Sequence, residues 1–140
     1  MNIKNSIANT IFDLWQENDK ESQLKLSGHS MTPVIKNGDW LTLKHNSNDI
    51  RVGSIIAYRR ERKIIVHRVI KIQNDSLITK GDFNCYLDEV VDIKSVIGKV
   101  IAVKNRRLDT KVWYVIGYII ASTPFIFTHI YRLIRNIKSL

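Results

Sequence analysis

Residues 63–72 read KIIVHRVIKI, and six of these ten residues are Ile or Val. Branched side chains of this kind are stiff in a helix and pack well on a pleated surface, so the run predicts a strand. A period of two sets Ile65, His67 and Val69 on one face and Ile64, Val66, Ile70 and Ile72 on the other. Both faces are largely apolar, which predicts a strand covered on both sides. The run just before it, GSIIAY at 53–58, is also strand-like, and the charged cluster Arg59, Arg60, Glu61 and Arg62 separates the two. Together they predict a β-hairpin.

Outward from the hairpin the β pattern continues. Residues 24–26 and 40–44 read as short strands, with 45–49 as a polar loop. Residues 73–75 turn the chain into a strand at 76–79, which ends on the Lys80-Gly81-Asp82 turn. Residues 85–92 read as an irregular loop and 95–103 as a final strand, with Gly98 as a candidate bulge. The expected fold is mainly β: a core of small coiled sheets with a helix at each end. In domain terms, 1–22 reads as an N-terminal amphipathic helix and 23–104 as the β-rich core. Residues 105–140 read as a basic link followed by a hydrophobic helix.

The two ends differ in character. Ile3, Ile7, Ile11 and Leu14 recur at helical spacing, with Phe12 and Trp15 widening the apolar stripe. Asn5, Asn9 and Asp13 interrupt it, so it is neither a signal peptide nor a membrane span. It suits packing on the domain or attachment to a membrane surface. Residues 112–131, by contrast, contain no Lys, Arg, Asp or Glu over twenty positions, about enough to cross a bilayer core as a helix. Trp113, Tyr114 and Tyr131 lie near its ends, as membrane interfaces prefer. The expectation is a C-terminal membrane helix. Pro124 in its middle leaves open a kinked span, a re-entrant segment or a helix folded back on the domain.

A chain of 140 residues suits one domain with a modest core. Its formal net charge of +9 would suit nucleic acid, but no helix-turn-helix, zinc motif or aromatic-basic repeat accompanies it. With an apolar tail, the basic charge points to anionic lipid instead. The lone Cys85 has no CxxC partner. The four histidines and one cysteine show no metal-ligand spacing, and no metal or cofactor is expected.

Candidate chemistry begins at 27–39, SGHSMTPVIKNGD. Ser30 sits between Gly28 and Pro33, in a setting where a turn can present its oxygen while leaving its own amide free for an oxyanion. An ordinary turn has the same composition. His67 lies in the central strand, and histidine is the side chain that exchanges a proton near neutral pH. A histidine in an apolar strand is also commonly a satisfied core residue. Asp82 and Asp88 follow in ITKGDFNCYLDEVVD, 78–92. Lys80, two residues before Asp82, is an alternative base.

Five short boxes occur in order at compact spacing: Ser30-Met31-Thr32-Pro33, Gly38-Asp39, Gly53-Ser54-Ile55-Ile56, His67-Arg68-Val69-Ile70 and Thr79-Lys80-Gly81-Asp82-Phe83-Asn84. In this the chain resembles the signal peptidase I superfamily of S24/S26-type serine peptidases. Histidine in the base box resembles the endoplasmic-reticulum and archaeal branch, and small bacterial peptide-maturation peptidases look similar. The resemblance implies Ser30 as nucleophile and His67 as general base. It implies Asp88, six residues after Asp82, as the charge-relay carboxylate, with Asp82 as its supporting or competing partner. Many members have a serine two residues before the nucleophile to complete the oxyanion hole, where this chain has Gly28 and then His29. Oxyanion and substrate contacts are therefore expected from Ser30, His29, Gly28, Met31 and Pro33, with the second donor unassigned.

The resemblance implies a membrane-associated serine endopeptidase that removes a leader or signal segment from a peptide or protein precursor after small residues. Its partners would be that precursor and membrane lipid, with no nucleic acid and no oligomeric state indicated. A bacterial cytoplasmic membrane is the expected location, on a side left open. Without an N-terminal signal, a tail-anchored chain would hold the catalytic domain in the cytoplasm, which favours a specialised leader peptidase over general export. The rival reading is a non-catalytic or self-cleaving regulatory protein on the same fold.

Overall fold

The computed structural model describes Leu14, residues 20–45 and residues 48–139. The predicted amphipathic helix therefore lies almost wholly outside the described residues. The rest is organised on one antiparallel sheet of eight strands: β1 (Glu21–Lys25), β2 (Trp40–Lys44), β3 (Ile55–Arg60), β4 (Lys63–Gln73), β5 (Ser76–Lys80), β6 (Val91–Asp92), β7 (Val96–Val103) and β8 (Arg106–Arg107). The strand order is β1-β2-β7-β3-β4-β5-β6, with β8 beside the far end of β7.

The predicted hairpin is present and tight. Arg60 pairs with Lys63, and Glu61 takes the left-handed conformation (φ 54°) that a two-residue turn requires. Alternation along β3 and β4 divides the apolar residues between two clusters. Ile55, Ala57 and Val66 join Leu41, Leu43 and Val100 on one side; Ile56, Tyr58 and Val69, with Ile65 packed against them, join Leu77 and Val91 on the other. Only the middle of β4 is covered on both sides, since Ile64 and Ile72 are exposed. The period of two also breaks at Ile70, where the pairing steps from Val69↔Thr79 to Lys71↔Ile78.

Three local expectations shift. β1 begins at Glu21, inside the polar stretch read as the end of a helix, because backbone pairing with β2 recruits residues of any polarity. The bulge expected at Gly98 falls on its neighbour Ile97: Gly98 pairs with Ala57, and Tyr58 then pairs with Val96. Gly98 serves instead for close approach, since a Cβ there would lie 2.8 Å from the Lys44 carbonyl oxygen. A further short strand, β8, follows the strand expected to be last.

The single C-terminal membrane helix is not what forms. Two helices occur, α1 (Lys111–Ser122) and α2 (Pro124–Lys138), bent by 95° at the break between them. Pro124 has no N–H to bond back and its ring would clash with the carbonyl of Ile120, so it ends α1 and starts α2 at the position proline tolerates. Among the described residues no single helix is long and apolar enough to cross a membrane, although the bent pair passes by length and composition. α1 docks on the turn before β3 glycine to glycine: a Cβ on Gly53 (φ 94°) would lie 2.6 Å from the Gly117 backbone, and one on Gly117 would lie 2.7 Å from Gly53 O.

Candidate active site

Ser30 stands in a loop that closes on itself between β1 and β2. Leu26 N donates to Asp39 O and Gly38 N to Leu26 O, so the two ends of the loop hold each other. Within it, Thr32 N donates to His29 O and Ile35 N to Met31 O, making a short helical turn. Met31 and Ile35 are fully buried in the core and fix the turn from beneath. Ser30 is left half-buried on the other side. Among the described residues its amide donates to no acceptor.

β4 supplies His67, 7% exposed, on the face shared with Tyr58 and Val69. The loop after β5 supplies Asp88, whose amide is held by Thr79 O at 2.8 Å. The three side chains form a continuous chain of hydrogen bonds. His67 Nε2 lies 3.0 Å from Ser30 Oγ, and His67 Nδ1 lies 2.5 Å from Asp88 Oδ2. With Nδ1–H donating to the carboxylate, Nε2 carries the lone pair toward the serine hydroxyl, the arrangement in which an imidazole accepts that proton.

Two residues to which sequence reasoning gave no role at the site complete this chain. Thr79 Oγ donates to Asp88 Oδ2 at 2.7 Å, and Tyr58 OH reaches the same oxygen at 3.4 Å. Burial pushes the Asp88 carboxyl up, but hydrogen bonds from His67 and Thr79 and the charges of His67 and Arg60 together carry it below its ordinary value of 3.8. Asp88 is thus held as an acceptor. Burial, partly opposed by the Thr79 hydrogen bond, raises the Tyr58 phenol above its ordinary value, keeping it protonated as a donor. The sequence signals were that Thr79 opens the fifth box and that it lies two residues from Leu77 on β5, on the same face; neither pointed to the carboxylate.

Asp82 takes a different partner. Its two oxygens receive Arg68 Nε at 2.8 Å and Nη2 at 2.7 Å, and Arg68 Nη1 donates to Gly53 O at 2.8 Å. Lys80, the alternative base, likewise lies away from the serine, with Nζ donating to Gly81 O and Thr128 Oγ. Met31 offers no side chain to a substrate, because it is core. Pro33 lines an open groove with Val34, Lys36 and Arg106, which includes none of Ser30, His67 and Asp88. His29 is exposed, and the Gly28 amide is taken by Asn37 Oδ1 at 2.9 Å.

The Peptidase S24-like family matches residues 4–101, and the chain belongs to that family. Among curated relatives, the chain is 35% identical over 107 residues to a signal peptidase complex catalytic subunit of Candida dubliniensis, covering 72% of this chain and 58% of the relative. It is 42% identical over 69 residues to the corresponding subunit of Scheffersomyces stipitis, covering 45% of this chain and 41% of the relative. The chain thus spans about half the length of the curated relatives it matches. Neither relative supports placement on a bacterial membrane.

Proposed function

We propose that this chain is a membrane-associated serine endopeptidase that removes a leader or signal segment from a precursor polypeptide. The observation that carries the reading is the unbroken Ser30–His67–Asp88 hydrogen-bond chain. In this reading neutral His67 takes the Ser30 proton as Oγ bonds to the scissile carbonyl carbon. The C–N bond then breaks, and His67 returns the proton to the departing amine, leaving an acyl-serine. Water deprotonated by His67 hydrolyses the ester and regenerates the hydroxyl. Asp88 orients the imidazole and stabilises its charged form, and the Ser30 amide receives the oxyanion.

Family membership and the two relatives favour peptide-bond hydrolysis, and the relatives' printed names favour a signal peptide as substrate. Membrane association is supported by the outer faces of α1 and α2, where Val115, Ile119, Ile126, Ile130 and Leu133 are exposed beside Arg132, Arg135 and Lys138. An apolar face edged with cations suits the surface of an anionic bilayer.

The test is mass spectrometry of a secretory precursor incubated with membranes carrying either wild type or Ser30→Ala. Cleavage at one bond by wild type, lowered by about four orders of magnitude or more in Ser30→Ala, is the expected result. Equal processing by both proteins would sink the assignment.

A further inference from the structure

The described residues contain a second buried polar cluster, on the opposite face of the sheet from His67, that the proposed chemistry leaves unused. At its centre is Thr128 of α2, 1% exposed. Its hydroxyl accepts from Lys80 Nζ at 3.0 Å and has three carbonyls within reach of its single proton: Asp82 O at 2.9 Å, Asn84 O at 3.2 Å and Pro124 O at 2.9 Å. Lys80 is itself 2% exposed, and its other bond goes to Gly81 O at 2.9 Å. Burial lowers the Lys80 ammonium from its ordinary value, so this group depends on those two oxygens for its solvation.

The turn gripped in this way is 81–84, and that turn touches the serine loop directly. Phe83 N donates to Ser30 O at 2.8 Å, and Gly81 packs so close that a Cβ would lie 2.7 Å from the same oxygen. α2 covers the turn from outside as well. Tyr131 meets the Phe83 ring edge-on at 5.9 Å, and the Arg132 and Arg135 guanidinium groups lie 4.8 and 5.1 Å from its centroid.

We propose that Thr128 is a positioning residue: through the 81–84 turn it sets the place of the Ser30 main chain, and with it the hydroxyl facing His67. The serine loop holds its own ends together but makes its cross-contact to the β5 side through Ser30 O, so a turn that moves carries Ser30 with it. The proposal rests on the peptidase reading for its catalytic consequence. Its structural consequence is independent of that reading.

The experiment measures amide hydrogen exchange and precursor cleavage on the 140-residue chain in detergent, for wild type, Thr128→Val and Thr128→Ser. In Thr128→Val the Phe83 amide should exchange about tenfold faster while β3 and β7 amides keep their rates. On the same secretory precursor, kcat should fall about tenfold with KM within about twofold, the signature of misplacement and not of lost binding. Thr128→Ser, which keeps the hydroxyl, should return both readouts to near wild type. Unchanged Phe83 exchange in Thr128→Val, or failure of Ser to restore it, overturns the proposal. Should Thr128→Val not fold, the exposed pair Arg132→Ala/Arg135→Ala decides: faster Phe83 exchange supports the clamp and unchanged exchange overturns it. A wild type that cleaves nothing while Phe83 exchange responds to Thr128→Val would remove the peptidase reading and leave the clamp standing.

Discussion

His67 and Arg68 are neighbours on β4, face opposite sides of one sheet, and each is bonded to a buried aspartate. The His67–Asp88 side ends on a hydroxyl: imidazole between Ser30 Oγ and Asp88, with Thr79 and Tyr58 behind the carboxylate. On the Arg68 side the chain ends on backbone, with the guanidinium forked onto Asp82 and its third nitrogen on Gly53 O. An imidazole can gain and lose a proton without leaving its place; a guanidinium in such a fork keeps its charge and its geometry. One side is thus suited to move a proton. The other rivets together the loops that hold the first side in register, joining the Gly53 turn under α1 to the 81–84 turn beneath Ser30.

The comparison breaks most sharply at the two aspartates. Asp88→Asn should leave the fold intact and lower kcat by about four orders of magnitude, because the imidazole loses its orienting acceptor. Normal cleavage by a folded Asp88→Asn protein would erase the distinction. Asp82→Asn should act on stability, since it leaves the Arg68 charge buried without its counter-ion; a loss of about 3–5 kcal/mol in a denaturant titration is expected. A smaller effect belongs to Thr79→Val, which removes one charge-assisted hydrogen bond from Asp88 and should reduce kcat about tenfold with little change in melting temperature.

The smallest expected effect is pH-linked. Asp88 is depressed in the folded protein, so its contribution to stability is fully present above its unfolded value of 3.8 and is lost as pH falls through the lower folded value. Comparing wild type with Asp88→Asn at pH 5 and pH 3 should show a steeper acid loss in wild type. Parallel losses would mean that the carboxylate is not held as described.

Much of this was legible in the residues. Alternation along 63–72 gave His67 its face and its neighbours Ile65 and Val69, and the charged tract at 59–62 gave the hairpin. Ser30 was legible as a candidate through its box, and Asp88 through its place six residues after Asp82. Which aspartate meets the histidine was not legible from residue type, since both lie in the stretch after β5; the resemblance pointed to Asp88, with Asp82 as a supporting or competing partner, and Asp88 is the one bonded to His67. Residue type alone did not separate His67 from His45 either. His45 is also buried, with Nε2 on Ser22 Oγ at 2.7 Å, but its Nδ1 meets the Ile97 carbonyl where His67 meets a carboxylate. The C-terminal run reads as one membrane helix, with a kinked span, a re-entrant segment or a helix folded back on the domain left open at Pro124, because composition records apolarity and not direction. Pro124 marked a break without saying how far the chain would turn.

By itself the sequence determined the elements whose cause is local: stiff branched runs for strands, a charged tract for the hairpin turn, proline for the helix break. Those follow from dihedral sterics and side-chain alternation within a few residues. Tertiary structure decided what depends on chain segments meeting across the sheet. It put Asp88 on His67 and Asp82 on Arg68, set Gly117 against Gly53, and brought Thr128 to Lys80 over forty-eight positions of chain. The reason is that a buried polar group must find a partner in space, and which partner it finds is fixed by how the sheet and helices pack, not by its neighbours in sequence.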